Sequence, residues 1–344
     1  MAVFNKDSRT KNAIKTSVIG GATNIIKILL GFGYRTLFVF MFSEVYLGIN
    51  GLFTNILQIL SLAELGITTA IVYRFYEPIS RDDVHYVGML MNFFGRVYRM
   101  IALSILGIGC CFIPFLPHLI NSSDQLPQDI NLYVIYILFL INTVASYIFS
   151  YKMTILSADQ KNYVTSVIDL IQTVVRYAVQ IIALYQTKDY TITLFIGIVA
   201  TLLLNFICSV WTEHQYKEVF AVKEMLPKED QKLIFEDTRA CMYHKIGGTV
   251  LNSTDSVVLT KMVSLAVTGI YSNYSMLLTY IQQFIGQILG NFTASVGNAI
   301  QKMSDDDYYM LFKKINFLGL WVASIVSVGV YGVIDDFVRV WLGD

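Results

Sequence analysis

Charged residues are scarce in this 344-residue chain, at 15% against about 25% in an ordinary soluble domain. Hydrophobic residues make up 55%, and the mean hydropathy is +0.56. The four cysteines lie in or beside apolar runs and form no Cys-x-x-Cys pair or Cys/His cluster, so they are typical of small core residues. These deficits exclude a disordered chain, a nucleic-acid-binding protein and a disulfide framework.

The sequence also lacks the motifs of familiar enzymes. No Gly-rich phosphate loop follows a strand pattern, no His-Glu-x-x-His motif occurs, and the four histidines have no metal-ligand spacing. A membrane glycan polymerase or ligase is the enzymatic alternative, and it would need a sizeable external loop for its catalytic residues. The sequence offers no such loop, so we expect neither an enzyme, nor a metal site, nor a cofactor.

Long apolar runs are what the chain does have. Six stretches without Asp, Glu, Lys or Arg are long enough to cross the hydrocarbon of a bilayer, which needs about 20 residues. Three further apolar segments are interrupted by charges. Together they predict an all-α integral membrane protein with nine spanning helices: 17–42, 45–63, 100–123, 130–151, 163–185, 190–212, 246–267, 262–301 and 315–334.

Basic residues divide unevenly between the two sides of this predicted topology. With a cytoplasmic N-terminus, 19 of the 25 Lys and Arg residues fall on the inside and 3 on the outside. Cytoplasmic loops of membrane proteins carry such an excess, so the N-terminus is predicted to be cytoplasmic. Residues 82–99 alternate apolar and basic faces. They fit either a segment along the inner interface or an extension of the third helix.

Two short matches indicate an internal repeat. Residues 19–21 recur as residues 246–248, and residues 48–50 recur loosely as residues 269–271, at offsets of 227 and 221. Each pair lies at the start of the corresponding helix, which predicts a repeat of six helices. Because six is even, both copies enter the membrane in the same direction and form parallel lobes.

This repeat predicts three parts of the chain. Residues 1–211 form a six-helix lobe, residues 212–240 a cytoplasmic linker, and residues 241–344 the first three helices of a second lobe. The repeat therefore predicts two parallel lobes, of which the second is truncated.

Ionised side chains within the spans are the candidate functional residues. Such a charge costs about 2.5–3.5 kcal/mol at the bilayer centre, so it normally faces protein or water. Lys27 lies near the middle of the first helix, and a shift by 228 residues, one more than the first repeat offset, places Asp255 at the same depth of the seventh. By the same shift Asn24 matches Asn252. We hypothesise that Lys27 and Asp255 pair across a central cleft and separate when substrate enters. A static pair, or separate partners, is the alternative.

Three other charges have two interpretations each. Arg35 is about 80° around the helix from Lys27, so it either lines the same groove or reaches the outer interface. Asp169 and Arg176 lie on nearly one face of the fifth helix. They either neutralise each other or act as a proton carrier and a phosphate contact.

Two stretches of the sequence resemble a known family. LGINGLFTNILQILSLAELGITTAIVYRFYEPI (residues 47–79) and NSTDSVVLTKMVSLAVTGIYSNYSMLL (residues 252–278) are similar to the polysaccharide-biosynthesis branch of the multidrug/oligosaccharidyl-lipid/polysaccharide exporter superfamily. This branch contains the O-antigen and capsule-type flippases. The resemblance implies that an undecaprenyl-diphosphate-linked oligosaccharide moves from the inner to the outer leaflet of the bacterial cytoplasmic membrane by alternating access.

The resemblance also implies an architecture of two parallel six-helix lobes around a central cavity, and roles for the candidate residues. The basic cavity residues of the family are matched by Lys27, Arg35 and Arg176, which we expect to bind substrate together with Asn24. Coupling or gating is then expected of the remaining candidates: Asp255, Asp169 and Asn252. The expected partners are the lipid-linked oligosaccharide, membrane lipid and a coupling cation or proton, with a glycan polymerase or glycosyltransferase as a further option.

The chain departs from the family in its number of helices. Such proteins usually have twelve to fourteen helices, whereas this chain ends after nine, so we expect a second lobe without half of its wall. A multidrug exporter or a peptidoglycan-precursor flippase would share the fold. A scaffold of a glycan assembly complex, which would not transport, is the alternative from a different class.

Overall fold

A computed structural model describes residue 4 and residues 9–64, 66–120, 126–300 and 305–343, and the statements below refer to them. Their regular elements are all helices. The α-helices are α1 (Arg9–Met41), α2 (Glu44–Leu60), α3 (Ile67–Ser80), α4 (Val84–Phe112), α5 (Leu116–Leu119), α6 (Leu132–Ser150), α7 (Thr154–Ala158), α8 (Asn162–Thr187), α9 (Tyr190–Gln215), α10 (Lys217–Ala221), α11 (Lys228–Met262), α12 (Leu265–Ile300) and α13 (Asp305–Leu342).

Six helical segments of the described chain are long and apolar enough to cross a membrane: Ile14–Met41, Val84–Leu119, Leu132–Ala158, Asn162–Thr187, Tyr190–Gln215 and Asp306–Leu342. Large apolar side chains on their outer surfaces are exposed, among them Leu29, Leu103 and Leu203 at 65%, 67% and 57%. A surface of this kind is stable against lipid and costly in water. The chain is therefore a multi-pass membrane protein.

The other three of the nine predicted spans correspond to α2, α11 and α12. Helix α2 has only 17 residues, and α11 begins in the polar stretch that the sequence predicts as a linker. The predicted border between residues 240 and 241 therefore lies within one continuous helix. Of residues 82–99, for which the sequence allows two placements, residues 84–99 form the first half of α4 and run directly into its apolar part.

Short polar side chains begin three of the long helices. Asp83 accepts a hydrogen bond from the backbone N–H of Tyr86 at 2.9 Å, and Asp189 accepts one from Ile192 at 2.9 Å. Asn131 caps α6 in the same way. Because the first N–H groups of a helix have no partner within it, these caps fix where α4, α6 and α9 begin.

The apolar core lies between α2, α4 and α6. Leu52 and Phe53 of α2, Phe94 and Ile105 of α4 and Tyr136 of α6 are fully buried there. The rings of Phe53 and Tyr136 meet edge to face at 5.3 Å, and the Tyr136 hydroxyl donates to a backbone carbonyl of α4 at 3.0 Å. This packing holds one face of α2 firmly and leaves its other face for α11 and α12.

A cluster of polar side chains, which we call the polar cluster, links the start of α8 to the end of α9. The Tyr216 hydroxyl donates to Asp159 at 2.7 Å, and the Lys161 ammonium pairs with the same carboxylate at 2.7 Å. Burial, reinforced by the bond to Asp159, raises the pKa of Tyr216, so this hydroxyl stays protonated and keeps donating. The polar cluster thereby fixes the relative position of the two helices that line much of the cavity described below.

Helix α2 crosses the start of α12 at a reciprocal pair of glycines. A Cβ atom on Gly48 would overlap the carbonyl of Leu265, and a Cβ on Gly269 would overlap the carbonyl of Glu44. Each of these carbonyls lies four residues before the glycine of its own helix, so the two helices make the same contact in both directions. These are the glycines of the second sequence match, at residues 48–50 and 269–271.

The surface around this crossing is small and polar, and we call it the seam. It comprises Gly48, Gly51 and Asn55 of α2, Ser256 and Thr260 of α11, and Thr268, Gly269 and Ser272 of α12. Asn55 donates to Ser256 at 2.7 Å, and the hydroxyls of Thr260 and Thr268 bond at 2.9 Å.

Substitution of either crossing glycine by alanine is expected to destabilise the protein by about 1–3 kcal/mol, because the added methyl group meets a backbone carbonyl that cannot turn away. Thermal unfolding of purified Gly48→Ala and Gly269→Ala in detergent measures this loss. Gly107→Ala is the matched control, since a Cβ there meets open space and alanine favours the helix. Equal melting temperatures for all three variants would contradict the reciprocal contact.

Candidate functional site

A cavity of about 520 Å³ lies between α1, α8 and α9, with contributions from α2, α6 and α12. Its wall combines aromatic side chains, uncharged polar side chains and two arginines. The aromatic residues are Tyr34, Phe38, Phe139, Tyr177, Tyr190 and Tyr280, the polar ones Asn50, Thr54, Asn142, Gln180, Thr193 and Thr201, and the arginines Arg35 and Arg176.

Two polar atoms of the cavity wall are buried without a hydrogen-bond partner among the described residues. They are Nε of Arg176, a charged donor, and Oδ1 of Asn142, an acceptor. An unsatisfied buried polar atom costs about 1–3 kcal/mol, and more when it is charged. These atoms therefore provide one donor and one acceptor for a molecule that occupies the cavity.

An aromatic stack forms the wall beside Arg176. The rings of Tyr34 and Tyr177 lie parallel to within 13° at 4.6 Å, and the guanidinium of Arg176 lies 5.0 Å from the Tyr177 ring centroid. The stack holds the guanidinium by a cation–π contact, which leaves its N–H groups available for hydrogen bonds.

Arg35 borders the cavity and also bonds to α12. Its Nε donates to Oδ1 of Asn273 at 2.7 Å, and its Nη2 donates to the Ser272 hydroxyl. The Ser272 hydroxyl in turn donates to the carbonyl of Gly269 at 2.7 Å, at the seam. Both acceptors of Arg35 are neutral, so its charge is not cancelled by them.

A smaller hollow of about 220 Å³, which we call the side hollow, adjoins the cavity and shares Arg176 and Thr201 with it. Lys27 of α1 and Asp169 of α8 line it, together with Gln172 and Thr173. The acid that faces the same space as Lys27 is therefore Asp169.

The charged side chains that line the two spaces are three cations and one carboxylate: Lys27, Arg35, Arg176 and Asp169. This excess of positive charge lies within helices that are suited to the membrane. Cations in such a place bind anions strongly, because water does not screen them well. The chemistry of the wall thus fits an anionic ligand.

The other candidates are placed apart from these spaces. Asp255 is exposed and accepts a hydrogen bond from Tyr271 of α12 at 2.7 Å. No ion pair joins Lys27 and Asp255 in the described part of the chain, so their pairing in another conformation stays a prediction. Asn24 is half-buried on α1, and among the described residues it does not line either space. The side chain of Asn252 lies outside the described residues.

Sequence reasoning missed the neutral polar residues of this site. Asn142, Ser272 and Asn273 occupy stretches that were recognised as spans by their freedom from charge. An amide in the middle of an apolar run is the signal that could have found them, since a buried amide needs a partner.

Comparison with known proteins adds the family to this geometry. A family model described as polysaccharide biosynthesis protein matches residues 11–292, most of the chain. The chain therefore belongs to this flippase-type family of polysaccharide biosynthesis, as its sequence resemblance predicts. No curated protein and no solved structure matches it. The family and the apolar helices together indicate a transporter or flippase.

Proposed function

We propose that this protein carries a lipid-diphosphate-linked oligosaccharide across the bacterial cytoplasmic membrane by alternating access, without chemical conversion of its cargo. The observation that carries the proposal is the buried, unpartnered Nε of Arg176 in a cavity that Arg35 also lines. Water in bulk does not readily reach a buried donor among membrane-spanning helices, whereas an anionic headgroup would supply its missing partner.

The amphiphilic cargo explains the mixed wall of the cavity. Its lipid tail stays in the hydrocarbon of the bilayer, while its sugars and diphosphate need a polar route. Arg35 and Arg176 bind the diphosphate oxygens, and the aromatic stack and Asn142 contact the sugar.

The side hollow gives this cargo site an internal competitor. Asp169 and the diphosphate both attract Lys27. When Asp169 is protonated, Lys27 is free to bind the cargo. When Asp169 is ionised, it attracts Lys27 away from the cargo and thereby helps to release the cargo. A proton is therefore the coupling ion that we propose. In this arrangement Asp169 takes the role that the sequence hypothesis assigned to Asp255.

The proposed architecture has two parallel lobes with nine spans and a cytoplasmic N-terminus. The reciprocal crossing of Gly48 and Gly269 supports it, because a contact repeated in both directions is typical of elements related by an internal two-fold axis. In this orientation the seam closes the outer side of the cavity, and separation of α2 from α11 and α12 opens it. Glycan polymerases and glycosyltransferases are the partners that such a cargo implies.

Complementation of a flippase-null bacterial strain tests this function, with surface glycan as the readout. The chain is expected to restore surface glycan, and the triple variant Lys27→Gln/Arg35→Gln/Arg176→Gln is expected to fail at equal membrane abundance. Arg81→Gln/Lys188→Gln/Lys232→Gln, which neutralises three exposed cations, is the matched control and should complement. Full complementation by the first triple variant would favour a scaffold over a transporter. Altered drug sensitivity without glycan would favour a drug exporter.

A further inference from the structure

We infer that Ser272 and Asn273 are positioning residues that hold Arg35 in a latch between α1 and α12, and that the cargo opens this latch by drawing Arg35 to its diphosphate. The inference rests on the proposed function for the identity of the cargo. It adds two residues to that function and a physical link between cargo binding and the opening of the seam.

Arg35 reaches both the cavity and α12. Its guanidinium lines the cavity and bonds across to α12 through Nε and Nη2. These bonds use two of its five N–H donors. A ligand in the cavity and the two residues of α12 therefore compete for one side chain.

The two acceptors of Arg35 on α12 are weaker partners than a diphosphate. The Asn273 amide oxygen and the Ser272 hydroxyl oxygen are neutral, whereas a diphosphate presents charged oxygens that accept bidentate bonds from a guanidinium. The ligand therefore wins the competition. A carboxylate at the position of Asn273 would hold Arg35 instead, so the neutral side chain makes this latch releasable.

The latch lies beside the seam. Asn273 is 2% exposed and lies one turn after Gly269, and Ser272 lies 3.8 Å from where a Cβ on Gly51 would be. When Arg35 moves away from Ser272 and Asn273, α12 loses two charge-assisted hydrogen bonds to α1. These bonds lie where α12 meets α2. What remains at the seam is contact between small side chains and a few hydrogen bonds between neutral groups, which separate at a lower cost.

Reciprocity makes the latch testable. If cargo binding opens the latch, opening the latch by mutation must strengthen cargo binding. Asn273→Ala frees Arg35 and is expected to raise affinity for undecaprenyl diphosphate in lipid nanodiscs about tenfold. Asn273→Asp tightens the latch and is expected to lower that affinity by a similar factor. A merely structural role for Asn273 would lower it in both variants.

A cysteine at Ser256 reports the state of the seam in the same proteins. Ser256 is buried opposite Asn55, and Ser256→Cys in a background without the native cysteines reacts with a membrane-impermeant thiol reagent only when the seam opens. Labelling should be slow in the ligand-free parent and faster with undecaprenyl diphosphate. It should be fast without ligand in Asn273→Ala and slow throughout in Asn273→Asp.

The two arms separate failure of the latch from failure of the function. Equal ligand-free labelling of the parent and Asn273→Ala overturns the latch, whatever binds. Binding of undecaprenyl diphosphate that leaves the labelling rate unchanged also overturns the latch and leaves the cargo site intact. Equal weak affinity for undecaprenyl diphosphate and undecaprenol overturns the cargo assignment, and the ligand-free arm still decides whether the latch exists.

Discussion

Oxidation of a Gly51→Cys/Ser272→Cys double variant is expected to stop transport almost completely, and reduction is expected to restore it. A Cβ built on Gly51 lies 3.8 Å from the Cβ of Ser272, which is about the mean separation in natural disulfides. The new bond joins α2 to α12 across the seam. If the outer side opens there, a covalent link at this point prevents the cycle from completing.

The measurement is glycan export, or flipping of a labelled lipid diphosphate in proteoliposomes, with copper phenanthroline and then dithiothreitol. Each single cysteine variant serves as a control, since it meets the same oxidant without forming the link. The native cysteines are removed throughout. Undiminished transport by fully cross-linked protein would mean that α2 and α12 never separate.

The seam is suited to separation because its composition differs from that of the core on the opposite face of α2. Leu52, Phe53 and Ile56 pack into large apolar neighbours, and their exposure would be costly. Asn55 and Ser256 instead meet through one hydrogen bond between neutral groups, worth about 0.5–1.5 kcal/mol. Helix α2 is thus bound firmly on one face and reversibly on the other.

The sequence predicted the parts of the fold that depend on local composition. Apolar length identified the six helices that are able to span a membrane, and the cost of charge in lipid identified Lys27, Arg35 and Arg176, all of which border the two spaces. Two spans outside those six are indicated by the sequence in different ways: α12 contains a long charge-free apolar run, whereas α11 contains an apolar segment interrupted by charge.

Which helices face one another depends on packing that no single stretch encodes. A shift one residue longer than the repeat offset equates Lys27 with Asp255, yet equal depth does not fix which face of a helix a side chain occupies. In the structure α1 packs along α8, so Lys27 shares the side hollow with Asp169. The neutral latch residues escaped for a related reason, because the meaning of Asn273 lies in a partner 238 residues away.

Arg176→Gln is expected to weaken binding of undecaprenyl diphosphate by about 10- to 100-fold, the loss of a buried charge-assisted contact. The same substitution should leave thermal stability unchanged or raised, because it removes a charged group whose buried Nε has no hydrogen-bond partner among the described residues. Loss of binding together with retained stability distinguishes a ligand site from a structural arginine, which would lose both. Arg176→Lys keeps the charge without the planar guanidinium and should bind with intermediate affinity.

The most direct test of whether the cations of the cavity and the side hollow serve an anionic cargo is the affinity of purified protein in nanodiscs for undecaprenyl diphosphate. This affinity is measured beside that for the uncharged undecaprenol, with exposed Lys261→Gln as the control variant. The account predicts that the parent and Lys261→Gln prefer the diphosphate strongly and that Arg176→Gln loses most of this preference. Equal affinity of the parent for both lipids, or an unchanged preference in Arg176→Gln, would contradict it.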